Sequence, residues 1–192
     1  MIEVLNYSQG IKNEADELLR KYRVVEIIEN FGQVRFTGSY ELNLMYKKDI
    51  DISLINDNLS VQDFTQLGKA LIDSLNTPSA YYRNTRISPV DKRPENSLYW
   101  GIKTGDWFID VWGMSTEVYK RAEIYIDEIK SKLTNEDKLV ILQLKDVLTK
   151  NKSYGKDFSS RELYDAVLNH EVKNSEQFNL YLEKLSHLNE YR

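Results

Sequence analysis

The sequence predicts an α+β fold in which a mixed β-sheet packs with helices and is followed by a C-terminal helical region. Before about Met114, stretches of helical periodicity alternate with short runs of β-branched and aromatic residues. After Met114 only helical periodicity remains. We therefore expect an α+β domain over residues 1–114 and a helical domain over residues 115–192, and the whole chain is long enough to bury a sizeable core.

The N-terminal elements follow from hydrophobic spacing and end signals. Apolar residues recur at helical spacing over residues 8–29 and predict one or two amphipathic helices, which Gly32 is expected to end. Residues 34–37 and 50–55 predict two short strands. A capping box that begins at Ser60 opens a helix expected to run to about residue 75.

The remaining elements include a hairpin and a helical tail. A strand is expected over residues 80–87, and Gly105 and Asp106 join two aromatic, β-branched runs in a hairpin signal over residues 97–112. Capping boxes at Thr134 and Ser159 predict helix starts. The four predicted C-terminal helices cover residues 116–132, 135–150, 160–169 and 175–186.

Composition excludes several kinds of chemistry. The chain has no cysteine and two histidines, which rules out disulfide frameworks, cysteine nucleophiles and histidine-rich metal sites. The net charge of −4 disfavours a nucleic-acid partner, because such binding relies on neutralised phosphates. No signal-like N-terminus and no apolar run long enough to span a bilayer is seen, so a cytoplasmic protein without a membrane partner is expected.

The segment around Asp49 and Asp51 carries the clearest chemical signal. In a strand these two carboxylates share one face, while the apolar residues between and after them share the other. Two carboxylates about 4 Å apart repel by about 4 kcal/mol at an effective dielectric constant near 20. A divalent cation converts that repulsion into binding, and Mg²⁺ prefers hard oxygen ligands. Such Asp-x-Asp pairs are also common without a metal.

Asp110 is the lone carboxylate of a later apolar and aromatic strand. If that strand lies beside the first, Asp110 joins Asp49 and Asp51 as a third ligand. Three carboxylates with one or two Mg²⁺ ions suit in-line displacement at phosphorus. Taken alone, Asp110 would read as a hydrogen-bonded structural residue or as a solvent-facing one.

These residues together resemble a known superfamily. The order is Gly38-Ser39, then nine residues, then Asp49-x-Asp51 on an apolar strand, then Asp110 on a later strand. It resembles the polymerase-β-type nucleotidyltransferases, and among them the small bacterial members related to aminoglycoside and lincosamide nucleotidyltransferases and the minimal, antitoxin-type enzymes. Residues 159–168 resemble a helix that such members carry near their C-termini.

The resemblance implies a nucleotidyltransferase-type fold, with residues 1–114 as the catalytic domain, and a role for each matched residue. Gly38 and Ser39 would open a short helix that holds the β- and γ-phosphates of a nucleoside triphosphate, with Lys48 beside them. Asp49 and Asp51 would hold Mg²⁺. Asp110 would complete a second metal site or act as the base toward the acceptor hydroxyl. That hydroxyl would attack the α-phosphorus, and pyrophosphate would leave.

Further basic and aromatic side chains are candidates for the same site. The cations able to neutralise the triphosphate are Lys47, Lys48, Arg83, Arg86 and Lys103. The aromatic residues able to form a stacking wall, of which about half are expected in the core, are Tyr81, Tyr82, Tyr99, Trp100, Trp107 and Trp112.

The expected function is Mg²⁺-dependent transfer of a nucleoside monophosphate, with AMP from ATP as first choice, to a hydroxyl of a small, antibiotic-like acceptor. One alternative is protein nucleotidylation by an antitoxin-like protein, which would have a protein partner. The other is a non-catalytic nucleotide-binding or interaction protein with the same fold. A homodimer that builds its acceptor cleft between subunits is left open.

Overall fold

The computed structural model describes residues 2–89, 94–151 and 158–190. Its elements confirm the mixed first part and the helical tail expected from the sequence. In chain order they are α1 (Ile2–Lys21), α2 (Val24–Glu29), β1 (Gln33–Thr37), α3 (Gly38–Glu41), β2 (Asp49–Ile55), α4 (Val61–Leu75), β3 (Ser79–Asn84), β4 (Leu98–Thr104), β5 (Trp107–Met114), α5 (Thr116–Lys132), α6 (Asn135–Lys150), α7 (Ser160–His170) and α8 (Ser175–Glu190).

The helix starts follow the predicted caps. The Ser60 hydroxyl accepts a hydrogen bond from the Asp63 backbone N–H, and reciprocal capping boxes begin at Thr134 and Ser159. The first helix starts at Ile2, earlier than the expected residue 8. The sequence pattern placed this start too late, because regular apolar spacing begins only at Ile11. It ends before Arg23, whose left-handed φ of 51° separates α1 from α2. The third strand ends at Asn84 rather than at residue 87.

The five strands form one mixed sheet in the order β1-β2-β5-β4-β3. Within the described residues, β2 and β5 pair in parallel, and the other three strand pairs are antiparallel. The predicted β4–β5 hairpin is confirmed: Thr104 pairs with Trp107 around the two-residue turn, where Gly105 has a φ of 55°. The latest strand in the chain, β5, therefore lies at the centre of the sheet.

One face of the sheet is buried under helices. Alternate residues such as Ile50 and Ile52 on β2 and Ile109 on β5 have no exposed surface. They share a hydrophobic cluster with buried residues of α1, α2 and α4, including Ala15, Val24, Ile28, Phe64, Leu67 and Leu71. The intervening residues of each strand point to the opposite face, which we call the site face.

The chain forms two compact units. Gly10–Asp127 contains the whole sheet, and the helical unit consists of Met1–Gln9 with Glu128–Arg192. The helical unit has its own buried apolar residues, among them Ile141, Leu144, Leu163, Ala166 and Phe178. The functional boundary expected between residues 114 and 115 stays a prediction. Within the described ranges, every helix is too short or too polar to cross a membrane.

Candidate active site

The parallel pairing of β2 and β5 brings the predicted carboxylates to one face. Asp51 lies directly opposite Asp110, and Asp49 lies opposite Phe108. Neighbouring strands run about 4.8 Å apart, so the side chains of a register pair are immediate neighbours. All three carboxylates are partly buried on the site face. The strand adjacency that the three-carboxylate hypothesis requires is present.

The glycine of the Gly38-Ser39 pair lies against one of these carboxylates. Helix α3 begins directly after β1, where Thr37 pairs with Asp51. Gly38 has a left-handed φ of 62°, and a Cβ built on it would overlap Asp51 Oδ2. Glycine therefore allows both the backbone turn and its close approach to the carboxylate. Ser39 is 9% exposed at the first turn of this short helix.

Asp110 is oriented by a tyrosine that sequence reasoning treated only as a stacking candidate. The Tyr99 hydroxyl donates to Asp110 Oδ1 at 2.8 Å, and its ring lies 4.5 Å from the Trp112 ring centroid. Gly101 pairs with Asp110 in the sheet, and a Cβ built on it would overlap the Tyr99 hydroxyl. A missing side chain at Gly101 therefore makes room for this hydrogen bond. The sequence signal is a glycine opposite an aspartate, which becomes visible only once the register is known.

Helix α1 holds the start of β2 through an ion pair. Lys48 Nζ lies 2.7 Å from Glu14 Oε2 and 5.8 Å from the centroid of the Trp107 ring. Lys47 precedes Lys48 in the segment that leads into β2. The predicted phosphate-binding Lys48 thus has an acidic partner on α1, so a triphosphate would compete with Glu14 for its ammonium group.

The same helix also holds α3. The Tyr40 hydroxyl donates to Asp16 Oδ1 at 2.6 Å, and Lys12 Nζ lies 2.6 Å from that oxygen and 3.8 Å from the Tyr40 ring centroid. Burial, helped by the hydrogen bond to Asp16, raises the pKa of Tyr40. Burial alone would raise the pKa of Asp16, but its bonds from Lys12 and Tyr40 outweigh burial and lower it. Asp16 therefore stays ionised and keeps α3 attached to α1.

The three carboxylates are the type of ligand that Mg²⁺ prefers, although their side chains do not form a close group. Among the residues that the structure describes, no three His, Cys, Asp or Glu side chains are grouped closely enough to hold a metal ion. Asp49, Asp51 and Asp110 nevertheless present hard oxygen donors on one face, and Gly38 leaves room beside Asp51. Their donor type suits Mg²⁺, and the metal site itself stays a prediction.

The remaining candidates divide between the two faces of the sheet. Register places Tyr81, Tyr99 and Trp112 on the site face, together with the cations Arg83 and Lys103. The aromatic residues on the buried face are Tyr82, Trp100 and Trp107. Trp112 is nevertheless buried, in a second cluster against which Tyr99 packs, so more than the expected half of these aromatics lie in hydrophobic clusters and Tyr81 is exposed. Arg86 lies after β3 and donates to the backbone oxygen of Leu59 at 2.9 Å.

Comparison with known proteins supports the fold. No protein-family model and no curated protein sequence matches the chain. A solved structure of a cytoplasmic RNA terminal U-transferase is similar, with a TM-score of 0.51 and 15% identity over 86% of this chain and 51% of that chain. A structure of the Cid1 poly(U) polymerase with Mg and 3′-dATP bound has a TM-score of 0.50 and 14% identity over 77% of this chain and 48% of that chain.

This likeness is one of fold. The chain spans about half the length of each of these two structures. Both are nucleotidyltransferases, so the five-stranded mixed sheet and its helices have a nucleotidyltransferase fold.

Proposed function

We propose that this protein is a Mg²⁺-dependent nucleotidyltransferase that transfers AMP from ATP to a hydroxyl of a small-molecule acceptor and releases pyrophosphate. The observation that carries the proposal is the register pair of Asp51 and Asp110 on parallel strands, with Gly38 of α3 against Asp51. Carboxylates able to hold one or two Mg²⁺ ions suit transfer at phosphorus, because the ions stabilise the attacking and leaving oxygens.

On the donor side, the residues of α3 and the start of β2 bind the triphosphate. The backbone of Gly38 and the hydroxyl of Ser39 face the β- and γ-phosphates, and Lys48 exchanges Glu14 for a phosphate oxygen. Asp49 and Asp51 hold Mg²⁺, which, when bound, neutralises the phosphate charge and lowers the pKa of the acceptor hydroxyl. The ion pair of Lys48 with Glu14 supports this role. The Glu14 side chain is half-exposed, and ion pairs at the surface contribute little free energy, so a phosphate can displace it.

On the acceptor side, the hydroxyl oxygen forms a bond to the α-phosphorus while the bond from that phosphorus to pyrophosphate breaks. Asp110 either takes the hydroxyl proton or would complete a second Mg²⁺ site, in which case the proton leaves to solvent water, and Tyr99 fixes its orientation in both cases. Replacing Asp110 by Asn removes the base and weakens the ligand, so transfer is lost under either role.

The nucleobase of the donor triphosphate is tested by comparing ATP with the other nucleoside triphosphates. Both structural neighbours are described as uridylyl-transferring proteins, which makes UTP the natural competitor to ATP. A thermal-shift panel of ATP, GTP, CTP and UTP, each with and without Mg²⁺, answers this. A ligand at 100 times its Kd adds about 2.7 kcal/mol to the free energy of unfolding.

The panel includes wild type, Asp49→Asn/Asp51→Asn and a control, Asp73→Asn/Asp127→Asn, which removes two exposed carboxylates from α4 and α5. We expect a Mg²⁺-dependent shift with ATP that the first variant loses and the control keeps. A shift only with UTP would replace the donor in this proposal. No shift with any triphosphate would overturn it in favour of a non-catalytic interaction protein. A stably copurifying protein that becomes labelled from ATP would instead favour protein nucleotidylation.

A further inference from the structure

The position of the acceptor follows from the in-line geometry of the proposed reaction. The attacking and leaving oxygens lie on opposite sides of the phosphorus. With the pyrophosphate at α3, beside β1 and β2, the acceptor hydroxyl approaches across β5 from the side of β4 and β3. This step rests on the proposed function and on the strand order of the sheet.

The surface on that side is open and aromatic. Tyr81, on the edge strand β3, and Phe108, near the start of the central strand β5, are 53% and 51% exposed, so two large rings face solvent on this side. Tyr81 pairs with Gly101, which in turn pairs with Asp110, so one register row leads from the exposed ring to the carboxylate. Gly101 carries no side chain, and the Tyr99 hydroxyl lies over it.

Each exposed ring is accompanied by a cation. The Arg83 guanidinium donates to the Tyr81 hydroxyl at 2.8 and 3.2 Å and lies 5.3 Å from the Tyr81 ring centroid. Lys103 Nζ lies 5.7 Å from the Phe108 ring centroid. Aromatic faces stack on planar rings, and the two cations attract an anionic group while repelling a polycation.

We propose that Tyr81, Arg83, Lys103 and Phe108 form an acceptor subsite for a small molecule that carries both a planar ring and an anionic group, such as a nucleoside monophosphate. Two cations beside the entry repel polycationic antibiotics of the aminoglycoside type, and the three carboxylates that would attract them are occupied by Mg²⁺ during the reaction. The acceptor class is therefore opposite in charge to aminoglycosides.

The same chemistry is offered by a free nucleotide and by the 3′ end of a single strand. The net charge of −4 supports the free molecule, since a long polyanion is repelled by the rest of the chain. The experiment below therefore tests a free nucleotide and a single strand side by side.

The test compares wild type with Arg83→Gln/Lys103→Gln. A control variant, Lys69→Gln/Arg121→Gln, removes the same two charge types from exposed positions on α4 and α5. The donor site is first filled with Mg²⁺ and α,β-methylene-ATP. Uridine 5′-monophosphate, a single-stranded hexanucleotide and neomycin are then titrated by calorimetry.

We expect the monophosphate to bind to wild type and to the control alike, with an affinity about 10-fold lower in Arg83→Gln/Lys103→Gln. Neomycin is expected to bind at least 10-fold more weakly than the monophosphate. Equal monophosphate affinity in all three proteins, or tighter binding of neomycin, would overturn the subsite. A hexanucleotide that binds tighter than the monophosphate, with the same loss in the charge variant, would overturn the small-molecule assignment in favour of a strand end.

Failure of this inference can be told apart from failure of the proposed function. If wild type does not bind Mg²⁺ with the ATP analogue, the transferase proposal itself fails. If wild type binds Mg²⁺ and the ATP analogue but binds the three probes with equal affinity, the acceptor subsite alone is wrong. All the substituted side chains are at least partly exposed, and unchanged thermal midpoints without ligand check that the variants fold.

Discussion

The hydroxyl of Tyr99 donates a 2.8 Å hydrogen bond to Oδ1 of Asp110 across the space that Gly101 leaves open. The other member of the register pair, Asp51, lies against Gly38. Each carboxylate of this pair thus depends on a glycine. Gly38 leaves space for Asp51 itself, and Gly101 leaves space for the Tyr99 hydroxyl that donates to Asp110. Substitutions at these positions separate orientation of the carboxylates from their chemistry.

Tyr99→Phe removes the donor to Asp110 and keeps the ring that packs against Trp112. Loss of a residue that orients a metal-site ligand commonly costs about 10- to 100-fold in metal affinity or activity. We expect kcat to fall within that range and the Mg²⁺ concentration for half-maximal stabilisation by ATP to rise. Tyr181→Phe is the matched control, because it removes another tyrosine–aspartate hydrogen bond, from the helical unit. Equal activity of Tyr99→Phe and wild type would contradict an orienting role.

Gly38→Ala adds a Cβ that overlaps Asp51 Oδ2 and places a non-glycine residue at a φ of 62°. The left-handed conformation costs about 1–2 kcal/mol for an alanine, and Asp51 must move as well. We expect binding of Mg²⁺ with ATP to weaken by about 10-fold or more in a thermal-shift titration.

Gly105→Ala is the control for this change, because Gly105 has a similar φ of 55° with no atom near its Cβ position. It therefore carries the backbone strain without the overlap. If both variants bind ATP equally well, the close approach of Gly38 to Asp51 has no part in the donor site.

Gly68→Ala tests the buried face of the sheet. A Cβ on this α4 residue would overlap the indole of Trp100, whose Nε1 donates to the Phe64 backbone oxygen at 2.9 Å. Overpacking of this kind costs about 1–3 kcal/mol, against a gain of about 1 kcal/mol in helix propensity. We expect a lower midpoint of urea unfolding for Gly68→Ala. Gly10→Ala in α1 has open space around its Cβ and isolates the propensity gain, so it should not lower the midpoint.

Asp165 predicts a pH dependence of stability in the helical unit. It accepts from the Tyr181 hydroxyl at 2.6 Å and from Asn169 Nδ2 at 2.7 Å, and it lies 3.3 Å from His170 Nε2. Burial alone would raise the pKa of Asp165, but these partners outweigh burial and lower it below the ordinary 3.8. Stability from an aspartate with a lowered pKa is present above the unfolded pKa and is lost as the pH falls through the folded pKa.

The difference in thermal midpoint between wild type and Asp165→Asn should therefore be largest above about pH 5 and shrink as the pH falls below the ordinary aspartate pKa. Asp127→Asn, at an exposed position, gives the baseline for a carboxylate without such partners. A midpoint difference for Asp165→Asn that is the same at pH 5 and pH 2.5 would contradict the assignment.

Local signals were enough to predict most elements of the fold. Serine and threonine caps, the Gly105 turn and the alternation around Asp49 each depend on nearby residues, and the corresponding helices and strands are present. The sequence left open whether residues 8–29 form one helix or two, and it did not mark the break at Arg23, because no glycine or asparagine stands at this left-handed position.

The candidate site was predictable only in part. The carboxylates and Gly38-Ser39 stand in the sequence in a recognisable order, whereas the Tyr99–Asp110 bond and the row from Tyr81 to Asp110 depend on the pairing of β3, β4 and β5. Sequence spacing does not encode that pairing. The links of Glu14 and Asp16 on α1 to Lys48 and Tyr40 are likewise long-range in sequence.

The central place of β5 has a consequence for how the protein folds. Four strands precede it in the chain, yet β2 and β4 meet only through it. Until β5 inserts, both neighbours keep an unpaired edge, and Asp51 does not yet lie opposite Asp110. Closing the loop between β2 and β5 is a late, long-range step of high contact order, so we expect the ability to bind nucleotide to appear with the slowest folding phase.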